Sequence, residues 1–289
     1  MKIGIGLPST IPGVPGSLVI AWAKEAERNG FGSLGTIDRL RYPSYEPLTA
    51  LAAAAAMTDR ITLTTAVWLP LLHGNAASVA KQVATVDALS GGRLAFGIAV
   101  GDRPDDFEHG GVDFAGRGKL LDAQLTELRE LLADRSRTAV GPAAARPKGP
   151  PILIGGTPAG PALRRLLTYG SGWIAAGDSG ELAKVAGTVK NAWTAAGKPG
   201  APTVTALVYF GLGPAARDHA LSYLGDYYSV YGAPPEALAD HALLDVDAIR
   251  AEVAALETAG ADEVILSPVV PELDQVSALA EALDLKAPA

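Results

Sequence analysis

Apolar and amphipathic segments alternate along this chain, and their alternation is its main structural signal. Val79, Val83 and Val86 recur at helical spacing, which predicts one face of an amphipathic helix. The turn at residues 90–92 contains two glycines that can end this helix. Residues 94–100 then form an apolar run, which is typical of a strand covered on both faces.

The same unit recurs along the chain and predicts a closed barrel. The predicted strands are residues 2–7, 33–37, 61–69, 94–100, 152–154, 173–175, 203–210 and 264–267. Predicted helices include 17–29 with Ser17 as N-cap, 47–57, 76–89, 117–132, 158–168, 246–259 and 272–283. No two strands pair through a short hairpin, so right-handed crossovers favour a parallel sheet. We therefore predict one (β/α)8 TIM barrel over residues 1–289, with short insertions at its C-terminal mouth.

An open, doubly wound parallel sheet is the structural alternative. It would need a glycine-rich dinucleotide-binding turn directly after the first strand. Gly4 and Gly6 lie inside that strand, and the third glycine of the pattern is absent. The closed barrel is therefore the favoured architecture.

Composition narrows the possible partners. The chain is 48% hydrophobic, carries a formal net charge of −7 and has no cysteine. Disulfides, thiolate metal sites and cysteine nucleophiles are therefore excluded, and nucleic acid is an unfavourable partner. Pro8 breaks the N-terminal apolar run, and the alanine-rich run at 50–57 is too short to span a bilayer. We expect a cytoplasmic protein without a membrane partner and, because its histidines are scattered, without a metal site.

Several short motifs follow one another in a specific order. They occupy residues 3–8, 23–34, 38, 47–48, 58–63, 80–97, 107–110, 116–117, 150–156 and 172–174. In this order and spacing the chain resembles the bacterial-luciferase-like superfamily of flavin- and deazaflavin-dependent oxidoreductases. The resemblance implies a single barrel that binds FMN or coenzyme F420 at its C-terminal mouth and that forms a homodimer.

Three residues after predicted strands are candidates for catalysis. Similar proteins commonly carry Asp-His after the second strand, whereas this chain has Asp38-Arg39. Arginine stays protonated near neutral pH, so Arg39 cannot be a general base. It could pair with Asp38, anchor an anionic substrate or stabilise negative charge, or simply stiffen a loop. His73, which follows the third strand, is the substitute candidate for acid–base work, the alternative being an ordinary loop histidine.

The fourth strand is followed by Gly101-Asp102, where deazaflavin-dependent relatives carry an acidic residue. Burial would favour the protonated form of Asp102 and make it a proton donor. The alternatives are an N-cap or a salt bridge to Arg103. Gly101 is expected to lie beside the cofactor.

The resemblance also implies cofactor contacts. Relatives often have a non-prolyl cis peptide in the third strand, which by position would be Ala66–Val67, although a trans peptide is the alternative. Asp38 is a further candidate cofactor contact at the mouth. Gly155-Gly156-Thr157 opens the predicted helix 158–168, where backbone N–H groups would bind a phosphate, unless this is only a turn.

Aromatic residues leave two interpretations open. Trp68 could line a flat cofactor pocket or pack in the barrel. A tyrosine group at 223, 227, 228 and 231 lies on one helix face, which is typical of a core or a dimer contact.

Together these features favour an F420-dependent oxidoreductase that exchanges hydride with a small organic substrate. The alternative is an FMN-dependent two-component monooxygenase with a separate flavin reductase. A non-catalytic flavin-binding barrel is a further alternative, since fold does not fix function. A lyase or aldolase is disfavoured because no strand-end lysine is present to form a Schiff base.

Overall fold

Eight parallel strands close into a barrel in the order in which they occur along the chain. The computed structural model describes residues 1–136 and 140–287. The strands are β1 (Lys2–Gly6), β2 (Ser33–Thr36), β3 (Thr62–Thr65), β4 (Leu94–Ile98), β5 (Ile152–Gly155), β6 (Gly172–Ala176), β7 (Thr203–Phe210) and β8 (Glu263–Pro268). Because β8 also pairs in parallel with β1, the sheet has no free edge. The predicted (β/α)8 barrel is confirmed.

Helices cover the outside of the barrel and fill its insertions. They are α1 (Gly16–Arg28), α2 (Pro47–Ala55), α3 (Ala76–Leu89), α4 (Pro104–Gly110), α5 (Arg117–Ala133), α6 (Gly160–Tyr169), α7 (Ser179–Ala195), α8 (Ala216–Tyr227), α9 (Pro235–Asp240), α10 (Val246–Ala259) and α11 (Asp274–Ala282). The insertions are α4, which precedes α5, and the pair α8 and α9, which precedes α10. All three lie in connections that leave the C-terminal ends of strands. Within the described ranges, no helix is both long enough and apolar enough to cross a bilayer.

Several predicted boundaries were wrong, among them the following three. Helix α1 begins at Gly16 after an extended Pro15, so Ser17 is not its N-cap. Helix α6 begins at Gly160 rather than at residue 158, with a proline in its first turn, where a missing N–H costs little. The third strand ends at Thr65, although the apolar residues 66–69 follow it directly.

Apolar side chains fill the barrel in two layers. A small interior cluster lies under the mouth and consists of Ala66, Leu153, Ile174, Leu207 and Ile265, all buried. A much larger cluster packs between the outer strand faces and the helices. The interior cluster closes the barrel axis, so a ligand at the mouth would rest on a packed apolar floor.

Two polar side chains fasten the opposite, N-terminal end of the barrel. The Arg93 guanidinium donates hydrogen bonds of 2.9–3.0 Å to the backbone carbonyls of Ala55, Thr58 and Ile61. The Glu27 carboxylate of α1 accepts bonds of 2.6–3.1 Å from backbone N–H groups of residues 59–61. These contacts tie α1 and α2 to the start of β3 and give a structural reason for the motif at residues 58–63.

The Glu27 contact should make stability depend on pH. Burial pushes the pKa of Glu27 up, but the backbone hydrogen bonds from residues 59–61 outweigh burial and lower it. Glu27→Gln is expected to reduce the free energy of unfolding by about 1 kcal/mol at neutral pH, allowing for solvent screening. Since the folded-state pKa is the lower one, this stabilisation is present above about pH 4.3 and is lost as pH falls through the folded value. Urea denaturation at pH 7 and pH 3 measures it; an equal difference at both pH values would contradict the charge-based explanation.

Candidate active site

A carboxylate and an imidazole form a hydrogen-bonded pair at the C-terminal mouth. Asp38 Oδ2 lies 2.7 Å from His73 Nε2 and accepts the Leu69 backbone N–H at 2.9 Å. Asp38 follows β2, whereas His73 ends the short 3-10 helix Pro70–Leu72 that follows β3. Because β2 and β3 are neighbours in the barrel, residues 35 positions apart in sequence meet here.

The Asp38–His73 pair is largely buried from solvent. Asp38 is 4% exposed, and its second oxygen, Oδ1, is buried with no hydrogen-bond partner among the described residues. Burial raises the pKa of Asp38, although the hydrogen bond to His73 and the Leu69 N–H act in the opposite direction. A carboxyl group whose charged form is disfavoured, placed against an imidazole, can hold and pass a proton. The Nε2 atom faces Asp38, which leaves Nδ1 of His73 to exchange a proton with a ligand.

Trp68 fixes the orientation of the imidazole. The rings of Trp68 and His73 are stacked, with centroids 4.3 Å apart and planes 13° apart. The indole Nε1 donates a hydrogen bond of 3.0 Å to Glu46, whose carboxylate also accepts the N–H groups of Leu48 and Thr49 at the start of α2. Sequence reasoning did not single out Glu46, because a carboxylate before a helix is normally only a cap.

The backbone bulges between β3 and the histidine. The Ala66–Val67 peptide is cis, in agreement with what the resemblance implied. The bulge stays attached to β2, since Ala66 N–H donates to the Thr36 carbonyl at 2.6 Å and Asp38 N–H to the Val67 carbonyl at 3.1 Å. Val67 is only half-buried and packs on the interior cluster beside Ile37. This places an apolar platform next to Asp38.

The residues at the mouth fit a flat cofactor with a phosphate. A Cβ at Gly155 would lie 2.8 Å from Val67 Cγ1, so the glycine leaves room beside the platform that any side chain would fill. Gly156 has φ +127°, and a Cβ atom at this position would have no heavy atom within 4 Å. Thr157 is exposed. This turn is therefore open to a phosphate. The turn precedes α6 rather than opening it. The unpartnered Asp38 Oδ1 provides an acceptor for a polar ring edge.

Arg39 is held in an ion pair with the α4 insertion. Its Nε donates to Asp106 Oδ2 at 2.7 Å and its Nη2 to Asp105 Oδ2 at 3.3 Å, while the Tyr42 and Tyr227 rings flank the guanidinium. Of the alternatives for Arg39, the pair with Asp38 is therefore wrong, because α4 brings two carboxylates that the sequence pattern did not place here. This geometry favours a structural role for Arg39, which attaches α4 to the loop after β2.

The loop after β4 places Asp102 in a different environment from the one that a proton donor needs. Asp102 is exposed and accepts the Tyr231 hydroxyl at 2.8 Å, so the burial that would make it a proton donor is not present. Helix α4 has Arg103 rather than Asp102 at its N-cap, and Arg103 lies 3.7 Å from Asp105. Gly101 has φ +80°, and its carbonyl accepts the Arg117 Nε–H at 2.9 Å.

A tyrosine cluster lies across the rim of the mouth. It consists of Tyr42, Tyr209, Tyr223, Tyr227, Tyr228 and Tyr231. The Tyr227 carbonyl at the end of α8 accepts hydrogen bonds from Arg103 at 2.7 Å and from Arg39 at 3.5 Å. Tyr209 was missed in the sequence, although inward alternation along β7 with Leu207 could have identified it. The cluster fastens α8 to the ends of β2 and β4.

The described residues hold no group of three histidine or carboxylate side chains arranged to bind a metal ion.

Comparisons with known proteins place these features in a family. A solved monooxygenase from Streptomyces bottropensis superposes with a TM-score of 0.76 at 20% identity and covers 99% of this chain and 98% of its own. An F420-dependent secondary alcohol dehydrogenase gives 0.77 at 16% identity, with 97% of each chain covered. The oxygenating constituent of 3,6-diketocamphane monooxygenase from Pseudomonas putida, solved in complex with FMN, superposes with a TM-score of 0.71 at 17% sequence identity. The match covers 99% of this chain and 97% of that one. At these identities the similarity shows the fold.

Two proteins are also similar to this chain in sequence. An uncharacterized protein of Mycobacterium tuberculosis is 29% identical over 204 residues, which are 67% of this chain and 72% of that protein. A second one is 32% identical over 213 residues, 62% of this chain and 72% of its own. The model of the luciferase-like monooxygenases matches residues 1–260, from β1 through α10 and thus across every strand end that forms the mouth except that of β8. With this family model matched over residues 1–260 and the barrel in place, the chain belongs to the luciferase-like monooxygenase family.

Proposed function

We propose that this protein is a coenzyme F420-dependent oxidoreductase that interconverts an alcohol and its carbonyl compound. The observation that carries the proposal is the 2.7 Å contact between Asp38 and His73 at the mouth. Oxidation of an alcohol removes a hydride from carbon and a proton from oxygen, so the reaction needs a proton acceptor as well as a hydride acceptor. The bound deazaflavin supplies the hydride chemistry.

The protein's own residues handle the proton. Nδ1 of His73 takes the hydroxyl proton during oxidation and returns one to the carbonyl oxygen during reduction. Asp38 holds Nε2 and stabilises the imidazolium that forms, while Trp68 keeps the ring in one orientation. Arg39 cannot take this part, since its guanidinium is committed to Asp106.

The platform and the open turn hold the cofactor in this proposal. Val67 and Ile37 support the flat ring, and Gly155 leaves the space for it. The turn at Gly156 and Thr157 binds the phosphate. A relative of similar fold is an F420-dependent secondary alcohol dehydrogenase, which supports alcohols as the substrate class.

A fluorescence titration with oxidised coenzyme F420 and, separately, with FMN tests the proposal. We expect micromolar or tighter binding of coenzyme F420, followed by its reduction when a secondary alcohol is added. Exclusive binding of FMN would overturn the proposal in favour of an FMN-dependent monooxygenase that needs a separate flavin reductase. Binding of neither, or tight F420 binding without turnover of any alcohol or carbonyl compound, would support a non-catalytic barrel.

A further inference from the structure

A cavity of about 440 Å³ lies beside the mouth, outside the axis of the barrel. The ends of β6 and β7 form one side of it, and α8, α9 and α10 form the other. Six of the thirteen residues that line it are aliphatic, namely Ala176, Leu207, Val208, Leu224, Leu238 and Leu243. Its volume falls within the range of about 300–1,000 Å³ that is usual for small-molecule sites.

The cavity adjoins the proposed catalytic mouth through two residues. Leu207 belongs to the interior cluster and Tyr209 packs against it, yet both also line the cavity. Tyr209 therefore stands between the two spaces. Its hydroxyl lies 2.9 Å from that of Tyr228, which lines the cavity as well. Burial raises the pKa of both phenols, so this end of the cavity presents neutral hydroxyl groups.

The charges around the cavity disfavour an anionic ligand. Three carboxylates line it and no lysine or arginine among the described residues does. Each carboxylate already has a partner: Asp178 accepts the Glu181 N–H at 3.0 Å, Asp240 pairs with Arg217 at 2.9 Å, and Glu252 accepts the Ser179 N–H at 2.5 Å. The carboxylates therefore do not require a cationic ligand. His241 is the remaining titratable group in the lining besides the tyrosines.

We propose that this cavity receives the apolar body of a neutral substrate, a medium- or long-chain alcohol or its ketone. The oxygen-bearing end would point past Tyr209 and its hydroxyl group toward the mouth, where the reaction is proposed to occur. The assignment of the reacting end rests on the proposed function, whereas the apolar site rests on the cavity itself. Small polar alcohols and carboxylates are then poor ligands.

Binding of 2-decanone to the cofactor-free protein tests the cavity directly, with decanoate as an anionic probe of the same length. Saturation-transfer NMR and the rise in melting temperature provide the readout. We expect 2-decanone to bind and decanoate to bind at least tenfold more weakly. The variant Leu238→Trp on α9 should weaken 2-decanone binding about tenfold or more, because each methylene that loses its buried place costs about 0.8 kcal/mol. Its affinity for coenzyme F420 should not change.

Two further variants keep the test decisive. Leu120→Trp changes an exposed leucine on α5 and should bind 2-decanone like the wild type. Leu238→Phe replaces the tryptophan variant if that one does not fold. The proposal would be overturned if the wild type did not bind 2-decanone, or if the Leu238 variant bound it as tightly as the wild type does. Loss of affinity for coenzyme F420 in the Leu238 variant would overturn it as well. If 2-decanone binds to the cavity but coenzyme F420 does not bind, the proposed function fails while the cavity assignment stands.

Discussion

Replacing His73 with asparagine is expected to lower kcat for secondary-alcohol oxidation by about 10²- to 10⁴-fold, the usual contribution of a positioned general base. The imidazole is the group at the mouth that is both hydrogen-bonded to the buried Asp38 and partly exposed to a ligand. Affinity for coenzyme F420 should change little, since the platform at Val67 is not altered. Stopped-flow reduction of the bound cofactor, together with the binding titration, separates the two effects.

Two companion variants make this result specific. His109→Asn alters an exposed histidine at the end of α4 and should leave kcat unchanged. Asp38→Asn should lower kcat as well, because an amide cannot stabilise the imidazolium. If His73→Asn and Asp38→Asn both retain full activity, the acid–base assignment is wrong.

Asp106→Ala is expected to reduce the free energy of unfolding by about 3–5 kcal/mol, which is the cost of removing one partner of a buried ion pair. Asp106 is 0% exposed, and the Arg39 side chain that it binds at 2.7 Å is 3% exposed. The substitution would also remove the acceptor of the Arg41 backbone N–H at 2.7 Å. Urea denaturation of the two proteins measures the difference.

The neighbouring carboxylate is the matched control for this variant. Asp105 is more exposed and lies 3.3 Å from Arg39, so Asp105→Ala should cost less. The double variant Arg39→Met with Asp106→Leu should recover much of the lost stability, because no buried charge is then left unpaired. If Asp106→Ala lowers the free energy of unfolding no more than Asp105→Ala does, the Arg39–Asp106 ion pair stabilises the protein little.

The sequence predicted the barrel because its signals are local and repeat eight times. Apolar runs such as 94–100 and helical spacing such as Val79, Val83 and Val86 survive in the structure as β4 and α3. The end of β3 was not predictable in this way. Apolar residues continue past Thr65 to residue 69, and only the packing of the bulge between β2 and β4 ends the strand there.

The candidate site was predictable as single residues but not as contacts. Asp38 and His73 were each singled out, yet their pairing depends on the register of β2 against β3 and on the turn after Pro70. The direction of Arg39 depends on Asp106, which lies 67 positions later on an insertion with no strong sequence pattern. Long-range partners of this kind are set by tertiary packing, which a single sequence does not encode locally.

The stack of Trp68 on His73 also gives the protein an internal optical probe. An imidazolium quenches the emission of an indole that it touches, whereas a neutral imidazole does so much less. At a ring separation of 4.3 Å, the emission of Trp68 should therefore report whether His73 carries its extra proton. The difference spectrum between the wild type and Trp68→Phe would isolate this signal from the other three tryptophans. Proton arrival at the His73 imidazole could then be followed in real time without any added dye.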